Sequence, residues 1–272
     1  PLSLLGGPPL GSLVLRNAGQ SRTVDLSAAE TMDDVRNLIE GAGLGLRVMI
    51  NQAGDGIDIV NEVATGKAGA MSIEEVPGGG QTATRLGIRT LAAQTRLDDF
   101  NDGRGVSIVN GSTDPLTGQP DPARDIDFAI TLGDGREITV DLRPQDITTV
   151  GALLARINGQ AADQGFDSAD FSAGLADGAN GIALSQNAAF AGPISVAERN
   201  GSRAVEHLGL AEGAYDAGSA TFMGADRAKV RVDNLFTQLL DLRDALAGND
   251  ASGITLAGER LEQSVARVSE SR

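Results

Sequence analysis

Apolar and polar residues alternate along this chain in a pattern that is written twice. Thr23-Val24-Asp25-Leu26 returns as Thr139-Val140-Asp141-Leu142, an offset of 116 residues (23 to 139). Extended backwards without a gap, Leu13–Leu26 lies over Ala129–Leu142, and Gly19 and Gly135 fall where a hairpin turns. Glycine reaches positive φ without a Cβ clash, which suits that place. Val24 with Leu26, and Val140 with Leu142, share a strand face, the alternation expected of a half-buried strand.

Behind each hairpin the apolar period changes from two to 3.6, which predicts a helix. Met32, Val35, Leu38 and Ile39 form one stripe, and Val150, Leu153, Leu154 and Ile157 form the other. Thr31 followed by Asp34 resembles a capping box, and Gly41 and Gly159 are candidate C-terminal stops. A second hairpin follows in each copy. The first is Leu46–Val60, turning at Asp55-Gly56, and Gly174–Gln186 is its weaker counterpart. Each copy closes on a Leu-Gly-aliphatic segment, Leu86-Gly87-Ile88 and Leu208-Gly209-Leu210. Asp98–Gly105 reads as a linker between them. The Pro/Asp/Gly-rich stretch Asn110–Asp125 reads as a surface loop.

From Ala220 the pattern is helical. Ala225, Ala228, Val232, Leu235, Leu239, Leu242 and Leu246 follow one another at spacings of 3 and 4, a heptad seam that calls for a helical partner. Gly248-Asn249-Asp250 interrupts it, Ser252 is a candidate N-cap, and Ala257, Leu261, Val265 and Val268 continue the stripe. An antiparallel helical hairpin follows from so short a turn. The segments are therefore a first β-rich module over 1–97, a second with a loop insertion over 98–219, and a helical segment over 220–272. The expected class is α+β, with two β-rich hairpin–helix–hairpin modules projecting from a helical hairpin that belongs to a rod-like bundle.

Composition narrows the function. Aromatic residues make up only 3% of the chain, with no Trp, so the cores must be aliphatic and a ring-lined ligand pocket is disfavoured. A net charge of −15 repels nucleic acid and anionic membrane surfaces. With no Cys, disulfides, thiolate nucleophiles and Cys-ligated metals are excluded. No run approaches the roughly 20 apolar residues of a membrane span, and no cleavable signal peptide is apparent. The chain begins with Pro1 rather than Met, which is read as the mark of a trimmed fragment.

Candidate chemistry is sparse. The pairs Asp55-Gly56, Asp134-Gly135 and Asp177-Gly178 lack the ligand spacing of a calcium loop and are read as hairpin turns. His207 stands alone where the first copy has Arg85, which is read as a solvated edge. Gly78–Gly80 lacks the Gly-Lys-Ser/Thr ending of a phosphate loop. Asp33-Asp34 suits a helix first turn, and Glu74-Glu75 is assigned to the surface. No catalytic residue, metal or cofactor is expected, and the chain is read as a non-enzyme.

The hairpin–helix–hairpin repeat, with its Leu-Gly-aliphatic close, resembles the module of flagellins and hook-associated proteins. The tail is similar to the C-terminal helical domain of that flagellin family. The likeness is carried by Leu235-Phe236, Leu239, Leu242, Asp244-Ala245-Leu246 and Leu261, and it is closest to the family's hook–filament junction branch. The resemblance implies a structural subunit exported to the bacterial flagellum, outside the cell, that joins hook to filament. Its implied partners are a first hook-associated protein on one side, flagellin on the other, and further copies of itself. Polar contacts between subunits would come from Arg227, Lys229, Arg231, Asp233, Asp241, Arg243 and Asp244. Filament flagellin, and a surface adhesin or glycan-binding module, are the other readings that suit β-rich repeats on a stalk.

Overall fold

The computed structural model describes residues 8–232 and 234–270, apart from the side chains of Arg267, Val268 and Glu270. The chain is α+β, with several small antiparallel sheets and a C-terminal helical hairpin. It divides into two compact units, Pro1–Arg89 with Lys229–Arg272, and Thr90–Ala228. The helical tail thus belongs to the first unit rather than to a segment of its own, and the second unit begins at Thr90.

In the first unit β1 (Ser12–Asn17) pairs with β2 (Gln20–Asp25), and α1 (Met32–Gly41) follows. Thr31 and Asp34 complete a capping box, with Thr31 N donating to Asp34 Oδ2 at 2.9 Å and Asp34 N to Thr31 Oγ1 at 3.2 Å. The Thr31 hydroxyl, donating to Asp34 Oδ2 at 2.8 Å, and then the Thr31 and Glu30 N–H groups hold the Asp34 carboxyl below its ordinary pKa. β3 (Leu46–Ile50) and β4 (Ile57–Asn61) form a two-stranded ribbon, and β5 (Ser72–Glu75) returns to lie on β1, before the single turn α2 (Thr82–Arg85). The sheet order is β2-β1-β5. Leu13, Leu15, Val24, Val35, Ile39, Leu46 and Ile73 form its core. Met32 and Leu38 of the expected stripe are exposed instead, because α1 is buried only along Val35 and Ile39, one turn apart.

The second unit repeats this order. After the kinked turn α3 (Phe100–Gly103) come β6 (Phe128–Thr131), β7 (Glu137–Val140), α4 (Val150–Asp163), β8 (Phe171–Leu175), β9 (Ile182–Gln186), β10 (Ser195–Glu198) and the turn α5 (Ala204–His207). The first sheet has the order β10-β6-β7, matching β5-β1-β2. Here β11 (Ala214–Asp216) and β12 (Thr221–Met223) extend the second sheet to β11-β12-β9-β8. The first unit is completed by α6 (Leu235–Ala247) and α7 (Ala251–Glu270).

The duplication is finer than the sequence match, and slightly different from it. Strand pairing sets Leu13 against Val24 and Phe128 against Val140, so Leu13 corresponds to Phe128 and not to Ala129. The slip comes from the turns. Ala18 (φ 50°) and Gly19 (φ 74°) make a two-residue turn of the kind that needs positive φ at both positions. The second copy inserts one residue, Gly133-Asp134-Gly135, closed by Leu132 N to Arg136 O at 2.9 Å. The closing segments agree bond for bond. Ile88 N donates to Ala83 O and Leu210 N to Val205 O, both at 2.9 Å, over Gly87 (φ 71°) and Gly209 (φ 76°).

Several expectations are corrected. Phe100, placed in a linker, and Leu97, placed at the end of the first module, are both buried in the core of the second unit. Gly41 and Gly159 are helical, and the left-handed stops are Gly43 and Gly165. In the β3–β4 turn the left-handed residue is Gly54 rather than Gly56. Glu74 and Glu75, assigned to the surface, are buried on β5. Glu75 accepts from Ala83 N (3.2 Å) and Thr84 N (2.7 Å), so its charge meets the orphan donors of α2. Glu74 accepts from Arg16 Nε at 3.0 Å.

Asp127 ties the second unit together. Its carboxylate is fully buried and accepts from Val109 N (2.8 Å), Leu142 N (2.8 Å) and Ser202 Oγ (2.6 Å), three separate segments. Burial pushes its pKa up, while the three donors pull the other way. Asp127→Asn would turn an amide NH₂ toward a backbone N–H on one side. Unfolding in denaturant should show a loss of about 1–3 kcal/mol, the cost of an unsatisfied buried donor. An unchanged midpoint would remove Asp127 from this role.

Candidate interaction surface

The helical hairpin starts later than its heptad pattern suggests. Residues Gly224–Lys229 are extended or irregular, and Val230 forms an isolated bridge with Met71. Ala225 and Ala228 therefore belong to no helix, and Ala228 is instead buried in the core of the second unit. The helix opens where Asn234 can cap it, its side chain accepting from Thr237 N at 2.9 Å. Gly248 and left-handed Asn249 (φ 50°) end α6. Asp250, not Ser252, accepts at the head of α7, from Gly253 N at 3.0 Å.

The buried face is not the leucine seam. On α6 the buried residues are Thr237, Gln238, Asp241 and Ala245, and on α7 they are Gly253, Ala257 and Ser264. Small side chains let two backbones approach. A Cβ built on Gly253 would come within 3.0 Å of the Ala245 Cβ and 2.4 Å of Asp250 Oδ2. Leu235, Leu239 and Leu246 are 41%, 48% and 58% exposed, and Phe236 on the same helix and Val265 on α7 are exposed as well. Val232, Leu242 and Leu261 are half-buried. The Val268 side chain and Asp233 lie outside the described residues.

Charge explains which face turns inward. Arg231 pairs with Asp241, with both side chains almost wholly buried. Removing one partner of such a pair leaves the other stranded. Asp244 packs against the loop before β5, its Oδ2 2.8 Å from where a Gly66 Cβ would stand, and it bonds Arg243 at 2.6 Å. Arg231, Asp241 and Asp244, expected on a face between subunits, thus make contacts inside the first unit. Arg227 pairs with Glu212 at 2.9 Å in the second. The small residues at 253, 257 and 264 carried this signal in the sequence, but the leucines outweighed them.

The remaining chemistry is structural. His207 is not a solvated edge, since its Nδ1 accepts from Ser107 N at 3.0 Å, which requires the neutral ring. Burial first, then Arg203, lowers its pKa below 6.5. Among the described residues no group of three or more His, Asp or Glu could hold a metal. No helix among them is long and apolar enough to cross a membrane.

Leu239→Asp should shift the unfolding midpoint of this chain by no more than about 0.5 kcal/mol, as for other surface changes. Ala257→Leu should cost about 1–3 kcal/mol by overpacking; denaturation followed by circular dichroism separates them, and the reverse order would restore the leucine seam. A histidine whose folded pKa is depressed contributes stability that is present above 6.5 and lost as pH falls through the folded value. Thermal melts from pH 8 to 5 should therefore fall more steeply for the parent than for His207→Gln.

No protein-family model and no curated protein matches the chain. Among solved structures it is matched to the crystal structure of the flagellar cap protein FliD from Helicobacter pylori at 13% identity and a TM-score of 0.24. That match covers 74% of this chain and 50% of the other, so the chain spans about half the length of that protein.

Proposed function

We propose that this chain is a structural, non-enzymatic subunit of the bacterial flagellum, acting at the junction of hook and filament. The observation that carries the reading is the inverted helical hairpin. α6 and α7 bury small and polar residues and leave Leu235, Phe236, Leu239, Leu246 and Val265 exposed. Exposed apolar rows of this kind mark surfaces made for another protein. In this reading they pack against helices of neighbouring subunits, so the chain builds a helical rod while its duplicated modules form the outer surface. The repeated module and the sequence likeness to the flagellin family support it. Hook-side and filament-side subunits, and further copies of the chain, are its partners, and it works outside the cell.

The full-length protein carrying Leu239→Asp and Leu246→Asp should fold and be exported, yet leave cells that shed their filaments. Electron microscopy of cells and culture supernatant reads this directly. Attached filaments at the parental frequency, with normal swimming, would sink the junction assignment.

A further inference from the structure

The two modules agree through the second hairpin at a constant offset of 125. Leu46 pairs with Asn61 as Phe171 does with Gln186, and Ile50 with Ile57 as Leu175 does with Ile182. Asn51 N donates to Gly56 O and Ala176 N to Gly181 O, both at 3.0 Å. They differ at one edge. In the second unit β9 carries β12 on its outer side, while β4, its equivalent, has β3 as its one strand neighbour among the described residues.

The groups on that edge can be named. The bond from Asn51 to Gly56, with Glu62 N to Gly45 O at 3.0 Å, puts the even-numbered residues of β4 on the β3 side. Antiparallel pairing alternates, so the N–H and C=O of Ile57 and Ile59 point away from it. Ile182, the counterpart of Ile57, and Gln186, the counterpart of Asn61, hold β12, through Gly224 N to Ile182 O at 2.9 Å and Gln186 N to Ala220 O at 3.1 Å. Between them Phe222 lies opposite Leu184, the counterpart of Ile59, and is buried.

Three of the other outer edges, those of β3, β8 and β7, carry bonds from helix side chains. Glu40 of α1 accepts from Val48 N on β3 (2.9 Å), and Asn158 of α4 bonds both N and O of Ala173 on β8 (2.8 and 2.9 Å). Gln164 does the same for Thr139 on β7 (3.0 and 2.8 Å). Among the described residues no side-chain hydrogen bond closes Ile57 or Ile59, and β4 has no proline, lysine or bulge to protect its edge, Asp58 being its one charge. A two-stranded ribbon is also marginal without a third strand.

We infer that the outer edge of β4 receives an extended strand from another polypeptide, antiparallel, in the register that β12 takes on β9. The side chains around the edge specify the guest. A large apolar residue falls opposite Ile59, where Phe222 stands in the second unit. The next residue faces exposed Asp58, in the place where Met223 faces Ala183. A basic residue suits that position, and the chain's −15 charge favours a cationic guest.

The probe is a synthetic peptide copying residues 218–226 with M223K, Gly-Ser-Ala-Thr-Phe-Lys-Gly-Ala-Asp, added to the whole chain and read by amide hydrogen exchange. At roughly millimolar peptide the Ile57 and Ile59 amides should slow at least about tenfold. N-methylation of the Phe nitrogen, which removes one ladder donor, should abolish the effect. Asp58→Lys should weaken binding of the Lys peptide more than that of its Met parent. Exchange unchanged by peptide, exchange already slow without it, or no Asp58 dependence would each overturn the proposal. So would slowing that tracks protein concentration and dimer formation, which would make a second copy of the chain the occupant.

Discussion

Each β-rich module depends on one helical stripe pressed under its strands. In the first it is Val35 and Ile39; in the second it is Val150, Leu153, Ile157 and Ala161, all buried. With so few aromatic residues, aliphatic packing must supply nearly all of the hydrophobic stabilisation. The same helices serve the backbone, because Glu40, Asn158, Gln160 and Gln164 reach out to strand edges that would otherwise stand unpaired. Helix burial and edge closure are therefore one arrangement.

That arrangement accounts for what the two copies share and where they part. Both keep the sheet order in which a late strand returns to the first, and both end on a helical turn capped by a left-handed glycine. A glutamate at the end of the returning strand accepts from that turn in each copy, Glu75 from Thr84 N at 2.7 Å and Glu198 from Glu206 N at 3.4 Å. They part at the second hairpin, where only the second copy is followed by strands that add to it.

The helical hairpin obeys a different rule. Its close approach is made by Ala245, Gly253 and Ala257, the Arg231–Asp241 pair is buried at its start, and it meets the rest of the first unit through the Met71–Val230 bridge and Asp244 against Gly66. Burying charge and small side chains leaves the large apolar ones outside. A helix with its leucines outward is stable only as far as its other contacts allow, which is why those leucines read as a surface for neighbours.

Local periodicity determined the elements. The period-two runs around Val24 and Val140, the stripes of α1 and α4, the Thr31–Asp34 cap and the Leu-Gly-aliphatic closes were all legible, because each depends on residues close in sequence. What only the tertiary structure decided depends on partners far along the chain. β5 and β10 are four residues each and show no alternation of burial, so their existence rests on pairing with β1 and β6. Phe100 read as linker because its core lies in strands that follow it. The leucine seam pointed to helices in the right region but to the wrong inner face: periodicity shows that a stripe exists, and the buried pair of Asp241 on α6 with Arg231, ten residues earlier, selects which stripe turns in.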